Sequence, residues 1–276
     1  MTAEQLGDSN PAIAASVTLR KCETLAEMQA CFELQKEVWE FSDAELIPVR
    51  LFVVASKIGG QVMGAFVEEE RGDNHGDNQS DGLIGFALAI PGVRNGHSYL
   101  HSQMLAVREP YRNGGLGRRL KLCQRDDALA RGFELMEWTF DPLEIKNAYL
   151  NIEKLGAIAR RYNVNQYGIT SSPLQGGLPS DRLVAEWWLK SKRVESALAG
   201  ASLPEFECHG RIEVPAEIYE WKARPSTRSQ ALVVEKENRR LFEEAFVEQL
   251  TVLGYERDEH RNGAFLLGQW DESWRY

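Results

Sequence analysis

The sequence predicts a mixed α/β fold, and three observations carry that expectation. Short apolar runs of strand character alternate with amphipathic helical segments along most of the 276 residues. One such strand, Ser98 to Val107, passes through the glycine-rich stretch Arg112-Asn113-Gly114-Gly115-Leu116-Gly117-Arg118-Arg119 into a helical pattern that stops at Gly132. Beyond about Ala201, more short strands and one long amphipathic helix form a C-terminal α/β extension. Residues 1–15 read as a flexible terminus, 16–200 as the main domain and 201–276 as the extension.

The elements follow in order. Ser16 to Cys22 is a first strand. Thr24 caps a helix and Glu27 stands three residues on, the capping-box spacing, with Met28, Cys31, Phe32, Gln35, Val38 and Trp39 on one face. Val49 to Ile58 has proline before it and Gly59-Gly60 after it, which favours helix over the alternative of a strand. Gln61 to Val67 and Leu83 to Ile90 are strands flanking Glu68 to Asp81, a polar stretch expected to be an exposed loop. Leu135 to Phe140 is a buried strand, broken by Asp141-Pro142. A helix then runs from Leu143 to Leu155, with Asn147 and Asn151 four apart on one face. Asn163 to Ile169 and Leu183 to Lys190 are expected to be the last strands of the main domain, joined by the glycine- and proline-rich loop Ser171 to Asp181.

In the extension, Ile212 to Pro215 is a strand entering a short helix, and Arg228 to Leu250 is a long helix. Val252 to Tyr255 and Ala264 to Leu267 make a closing hairpin. The long helix is expected to present Leu241, Ala245, Val247 and Leu250 to a partner. No long flexible linker precedes it, so the extension should pack on the main domain.

Bulk properties narrow the function. A net charge of −9 opposes general affinity for nucleic acid. No apolar run approaches the roughly 20 residues that span a bilayer, and without a signal-like N-terminus the expected compartment is the cytoplasm. Cys22, Cys31, Cys123 and Cys208 lack metal-ligand spacing and read as buried thiols; the five histidines are scattered too, and no metal is expected.

The glycine-rich turn has the chemistry of a phosphate site. Glycine lets the backbone approach a ligand, a helix start offers free N–H groups at the positive end of its dipole, and arginines add charge. It is not a Walker loop, because Arg118-Arg119 stands where Lys-Ser/Thr would. It is not a dinucleotide fingerprint, because Leu120 occupies the third glycine's place. What remains is Arg-x-x-Gly-x-Gly at Arg112, Gly115 and Gly117.

That pattern, with the approach Leu105-Ala106-Val107-Arg108-Glu109-Pro110-Tyr111, resembles the acyl-CoA signature of the GNAT (GCN5-related N-acetyltransferase) superfamily. The resemblance covers about Val17 to Lys190. It implies a mixed, mostly antiparallel central sheet flanked by helices. It also implies that the amides of Arg112, Asn113, Gly114, Gly115, Leu116, Gly117, Arg118 and Arg119 bind the CoA pyrophosphate, and that a backbone N–H within Leu105, Ala106 and Val107 polarises the thioester. Asn147-Ala148 with Lys154-Leu155-Gly156 is similar to the family's second block, where Asn147 and Asn151 are either pantetheine contacts or a solvated face. That block usually carries a tyrosine acid four residues before its glycine; here the position is Ile152.

Catalytic candidates follow. His101 shares strand parity with Leu105 and Val107, so it is expected to face the same side, either as a base or as a hydrogen-bonded core residue. Tyr162 and Tyr167 are either replacement acids or packing residues. Trp187-Trp188 and the aromatics of Trp270 to Tyr276 either line an acceptor site or anchor a core. The implied activity is an acyl-CoA-dependent N-acyltransferase moving acetyl from acetyl-CoA to a small-molecule amine, with a homodimer possible. Two other classes stay open: a CoA sensor that has lost turnover, and a binder of another phosphorylated ligand.

Overall fold

A computed structural model describes residues 17–67, 82–169 and 175–270. The flexible terminus, the Glu68 to Asp81 loop, part of the Ser171 to Asp181 loop and the aromatics after Trp270 lie outside the described residues. Two compact units divide the chain, one comprising Met1–Val93 with Leu100–Phe133 and the other Arg94–Tyr99 with Glu134–Tyr276.

The first unit holds β1 (Val17–Lys21), α1 (Leu25–Trp39), α2 (Val49–Lys57), β2 (Gln61–Val67), β3 (Leu83–Arg94), β4 (His97–Val107) and α3 (Leu116–Ala130), with strands in the order β1-β2-β3-β4. α1 starts where the sequence says it should. The Thr24 hydroxyl accepts from the Glu27 amide at 3.2 Å, and the Glu27 carboxylate accepts from the Thr24 amide at 3.0 Å. The Pro48-flanked segment is helix, as the proline and glycine punctuation indicates. One sheet face buries Met28, Cys31, Leu34, Phe52, Phe86, Leu88 and Ala106 against α1 and α2. The other buries Met63, Ala65, Ile84 and Ala87 against Leu116 and Leu120 of α3.

The second unit holds β5 (Leu135–Phe140), α4 (Ile145–Tyr149), which runs on into a π-helical turn Leu150–Lys154, β6 (Ile158–Asn163), β7 (Arg182–Trp188) and α5 (Lys192–Ala199). The extension adds β8 (Gly210–Val214), α6 (Ile218–Ala223), α7 (Arg228–Val247), β9 (Leu250–Arg257) and β10 (Gly263–Gln269). Strand order is β5-β7-β6-β9-β10-β8, with antiparallel pairing throughout. The extension continues this unit's sheet: Ala159 of β6 pairs with Val252 of β9, and α7 packs Phe242 on Tyr162 with ring centroids 5.5 Å apart. The expected mixed fold with a mostly antiparallel sheet is therefore observed within each described unit.

Several local expectations need correction. The strand placed at Asn163 to Ile169 lies earlier, at Ile158–Asn163; its alternation is masked by Arg160 and Arg161, and turn residues occupy 164–167. α5 is an element the sequence reading lacks, although Ser191 accepts from the Val194 amide and Gly200 closes it at φ 70. α7 turns Ala231, Glu235, Asn238, Phe242 and Ala245 inward, while Val247 is exposed. Two polar residues on the inward stripe disguise it. Trp187 and Trp188 are core: both are buried, and the Trp187 indole donates to the Leu155 carbonyl at 2.6 Å. Cys22 and Cys31 are buried thiols, but Cys208 is exposed.

Candidate functional site

The glycine-rich turn is an exposed corner before a long helix. Arg112 closes a short 3₁₀ turn, Glu109–Tyr111, and its Nε donates back to the Val107 carbonyl at 2.9 Å, so the guanidinium clips the turn to the end of β4. Asn113 takes φ 64 and Gly115 φ 76, two left-handed residues within three positions. Gly115 is the N-cap of α3 and brings no side-chain cap, and a Cβ there would meet nothing within 4 Å. The first-turn amides of Leu116 and Gly117 stand at the positive end of a 15-residue helix. Arg119 does not join them. Its amide is inside the helix, bonded to the Gly115 carbonyl at 3.0 Å, and its guanidinium donates to the Val17 carbonyl at 2.9 Å.

Leu105, Ala106 and Val107 stand on β4 immediately before this corner. Leu105 and Val107 pack toward α3, and Ala106 toward α1 and α2. Ser102 also faces α3: its hydroxyl donates to the Gln124 side-chain amide oxygen at 3.0 Å and accepts from Lys121 at 2.8 Å. His101 neighbours Ser102 on the same strand and is half-buried. Burial pushes the Lys121 ammonium well below its ordinary range, which makes the polar trio Ser102, Lys121 and Gln124 a feature that sequence reading missed.

In the second unit, Asn147 and Asn151 do not share a solvated face. Asn147 is exposed, whereas Asn151 sits in the π-helical turn, buried, with its Oδ1 accepting from the Trp138 indole at 3.3 Å. Ile152 is fully buried. The two tyrosines also part company. Tyr162 donates to Asp181 at 2.7 Å, and burial followed by that carboxylate pushes its phenol well above the ordinary range. Asp181 is held in turn by the Arg239 fork at 2.7 and 2.9 Å. Tyr167 is half exposed, its hydroxyl 3.3 Å from Thr139 Oγ1 and its ring 5.7 Å from the Arg182 guanidinium. Of the two, Tyr167 has the accessible phenol.

A second feature that the sequence does not reveal is an ionic network on β5, β6 and β7. Glu137 and Glu186 are buried and directly opposite one another across β5 and β7. Like charges in that position repel, so each needs cations. Arg94 forks onto Glu137 at 2.6 and 3.0 Å, Arg160 holds Glu186 at 2.9 to 3.1 Å, and Arg161 bonds both acids. Successive residues reach one face because β6 shifts register between Ala159 and Tyr162. Among the described residues no group of three or more His, Cys, Asp or Glu could hold a metal, and no helix is long and apolar enough to cross a membrane.

No family model matches the chain, and no curated protein matches it. Solved structures do. The ribosomal-protein-S18-alanine N-acetyltransferase from Escherichia coli is 16% identical, covering 63% of this chain and 95% of its own, with a TM-score of 0.45. The NatC complex bound to Gag peptide and CoA matches at 14% identity over 62% of this chain and 97% of that one, with a TM-score of 0.46. A GNAT family acetyltransferase from Elizabethkingia anophelis with acetyl-CoA bound matches at 14% identity over 63% and 98%, with a TM-score of 0.42.

Proposed function

We propose that the chain is an acyl-CoA-dependent N-acyltransferase of the GNAT superfamily that moves an acetyl group from acetyl-CoA to a small-molecule amine. The observation that carries this is the corner after β4: an uncapped helix start behind a left-handed glycine with open space before it, and Arg112 clipped alongside. An anion with several oxygens, such as the CoA pyrophosphate, satisfies those amides and the helix dipole together. The Arg-x-x-Gly-x-Gly signature supports acyl-CoA over other phosphorylated ligands. Asn147, exposed on α4, is the remaining candidate for a pantetheine contact.

In the reaction the amine nitrogen attacks the thioester carbonyl carbon, the C–N bond forms and the C–S bond breaks. The amine gives up a proton and the departing thiolate gains one. A backbone N–H within Leu105, Ala106 and Val107 would polarise the carbonyl. Ile152 cannot supply the leaving-group proton. Tyr167 is the better replacement, since Tyr162 is bound to Asp181. His101 stays a candidate base on its strand position alone.

Gly115→Glu tests the reading. It places a carboxylate where phosphate should sit, on a backbone at φ 76 that a side chain resists. Calorimetry should show CoA affinity falling at least about tenfold, and unchanged affinity in a folded variant would end the proposal. Thermal shifts should favour acetyl-CoA and CoA over ATP and NAD; stabilisation by ATP alone would point to a different phosphorylated ligand.

A further inference from the structure

The buried thiols Cys22 and Cys31 meet in the core of the first unit, their sulfurs 3.9 Å apart. Each is fixed on a different element. Cys22 directly follows β1, where its amide donates to the Val62 carbonyl at 2.8 Å, and Cys31 stands in the second turn of α1. The Cys22 sulfur has little room to turn away. A Cβ added to Gly64 of β2 would fall 2.9 Å from it and against the Phe66 ring, so the thiol sits in a seat that only glycine leaves open. A disulfide holds its sulfurs about 2 Å apart, so closure asks each side chain for a movement of roughly 1 Å. The turn between the two positions is already shaped by the Thr24–Glu27 capping bonds.

The surroundings also set an order of reaction. Cys31 has no exposed surface, whereas Cys22 is 4% exposed. The hydrogen bond with Cys22, followed by burial, pushes the Cys31 thiol well above its ordinary range. Cys22 therefore reacts first. Its thiolate attacks a small disulfide, forms a mixed disulfide and expels a thiolate, which takes up the proton that Cys22 released. Capping Cys22 removes the neighbour that kept Cys31 protonated. Cys31 then gives its proton to solvent and attacks the Cys22 sulfur. The Cys22–Cys31 bond forms, and the second small thiolate leaves and is protonated in turn. The pair has lost two electrons and two protons, and the small disulfide has become two thiols.

We propose that Cys22 and Cys31 form a reversible disulfide that staples β1 to α1, with low-molecular-weight disulfides of the glutathione type as oxidant and the corresponding thiols as reductant. The pair shares its core with Phe52, Phe86 and Ala106, so the bond would tie the outer helix layer to the sheet of the first unit. It does not depend on the acyltransferase reading.

The full-length protein tests it directly. After equilibration with mixtures of oxidised and reduced glutathione, remaining thiols are blocked with iodoacetamide in denaturant and tryptic peptides are weighed. Cys22 and Cys31 share the tryptic peptide 22–36, while Cys123 and Cys208 fall in others. Under oxidising mixtures that peptide should be unalkylated and two hydrogens lighter than its dithiol form, and dithiothreitol should reverse the change. The oxidised protein should melt about 5 °C higher, because the cross-link removes freedom from the unfolded chain. Cys31→Ala should stop at the mixed disulfide on Cys22 and gain no such stability. The wild-type measurements stand whether or not that variant folds.

Two thiols that merely pack would both be alkylated even after the most oxidising mixture, and that result overturns the staple. So does a mixed disulfide on Cys22 that persists beside an intact Cys31, or a bond that forms only in denaturant. A disulfide that lowers the melting temperature overturns it as well, since the native pair could then close only by distorting the fold.

Discussion

Glu235 is the residue in which sequence and environment disagree most. It lies on the inward stripe of α7, about 2% exposed, and one carboxylate oxygen has no hydrogen-bond partner among the described residues. Burial, then the charges of Asp181 and Asp141, push its carboxyl from 4.5 up to about 8, although Arg239 and Lys222 pull the other way. Lys222 is committed elsewhere, to Asp141 at 2.9 Å and Glu144 at 2.7 Å. The sign follows from proton counting. Between about pH 4.5 and 8 the folded state holds a proton that the unfolded state has released. The stabilisation is thus full below the lower value and is lost as pH rises through the upper one. Glu235→Gln removes the ionisation and keeps the shape. It should match wild type below about pH 4.5 and be more stable above about pH 8. The gain should not exceed roughly 5 kcal/mol, because each tenfold change in proton affinity between the folded and unfolded chain is worth about 1.4 kcal/mol. Denaturant titrations across that range check it; parallel pH profiles for the two proteins would show that Glu235 ionises freely in the fold.

At the scale of the element, what the sequence shows depends on whether the signal is local. α1 is legible because its cap is a pair of side chains at fixed spacing, and both reciprocal bonds form. Glu27 does further work there, bonding Arg20 at 2.6 Å. Burial alone would raise its carboxyl, but Arg20 and the Thr24 and Glu23 amides hold it below the ordinary value. Thr24→Ala should therefore cost about 1 kcal/mol, and Glu27→Gln more, since one substitution weakens both an ion pair and two amide contacts. Urea unfolding of the two variants gives the ranking, and the reverse order would mean that Arg20 contributes nothing. β6 is misplaced by the sequence for the opposite reason. Its arginines answer acids on β5 and β7, partners distant in sequence that no periodicity reports.

Across the whole chain, the glycine-rich corner is readable in the sequence and the ionic network is not. Glycines, arginines and a helix start are written consecutively from Arg112 to Arg119, whereas the network around Glu137 and Glu186 draws on the end of β3, β5, β6 and β7. The extension is tied to the second unit by several independent bonds. β9 pairs with β6, the Glu153 carboxylate accepts from the Tyr255 amide at 2.7 Å, Arg239 forks onto Asp181 and Lys222 bridges Asp141 and Glu144. Removing Ala201 to Tyr276 would strip β6 of its neighbour and leave an unpaired strand edge. It would also strand Asp181, buried at about 1% exposure, with only Tyr162 and local amides. A buried charge deprived of its cation is among the costliest single losses in a fold, on the order of 3–5 kcal/mol, comparable to the whole stability of a small domain. Phe242 and Phe265 would go too, uncovering the ring of Tyr162. The truncated protein should be insoluble, or soluble with native-like far-ultraviolet dichroism and no cooperative melt. A truncated chain that melts cooperatively at the full-length temperature and binds CoA equally well would show that the extension is an appendage, whatever its contacts suggest.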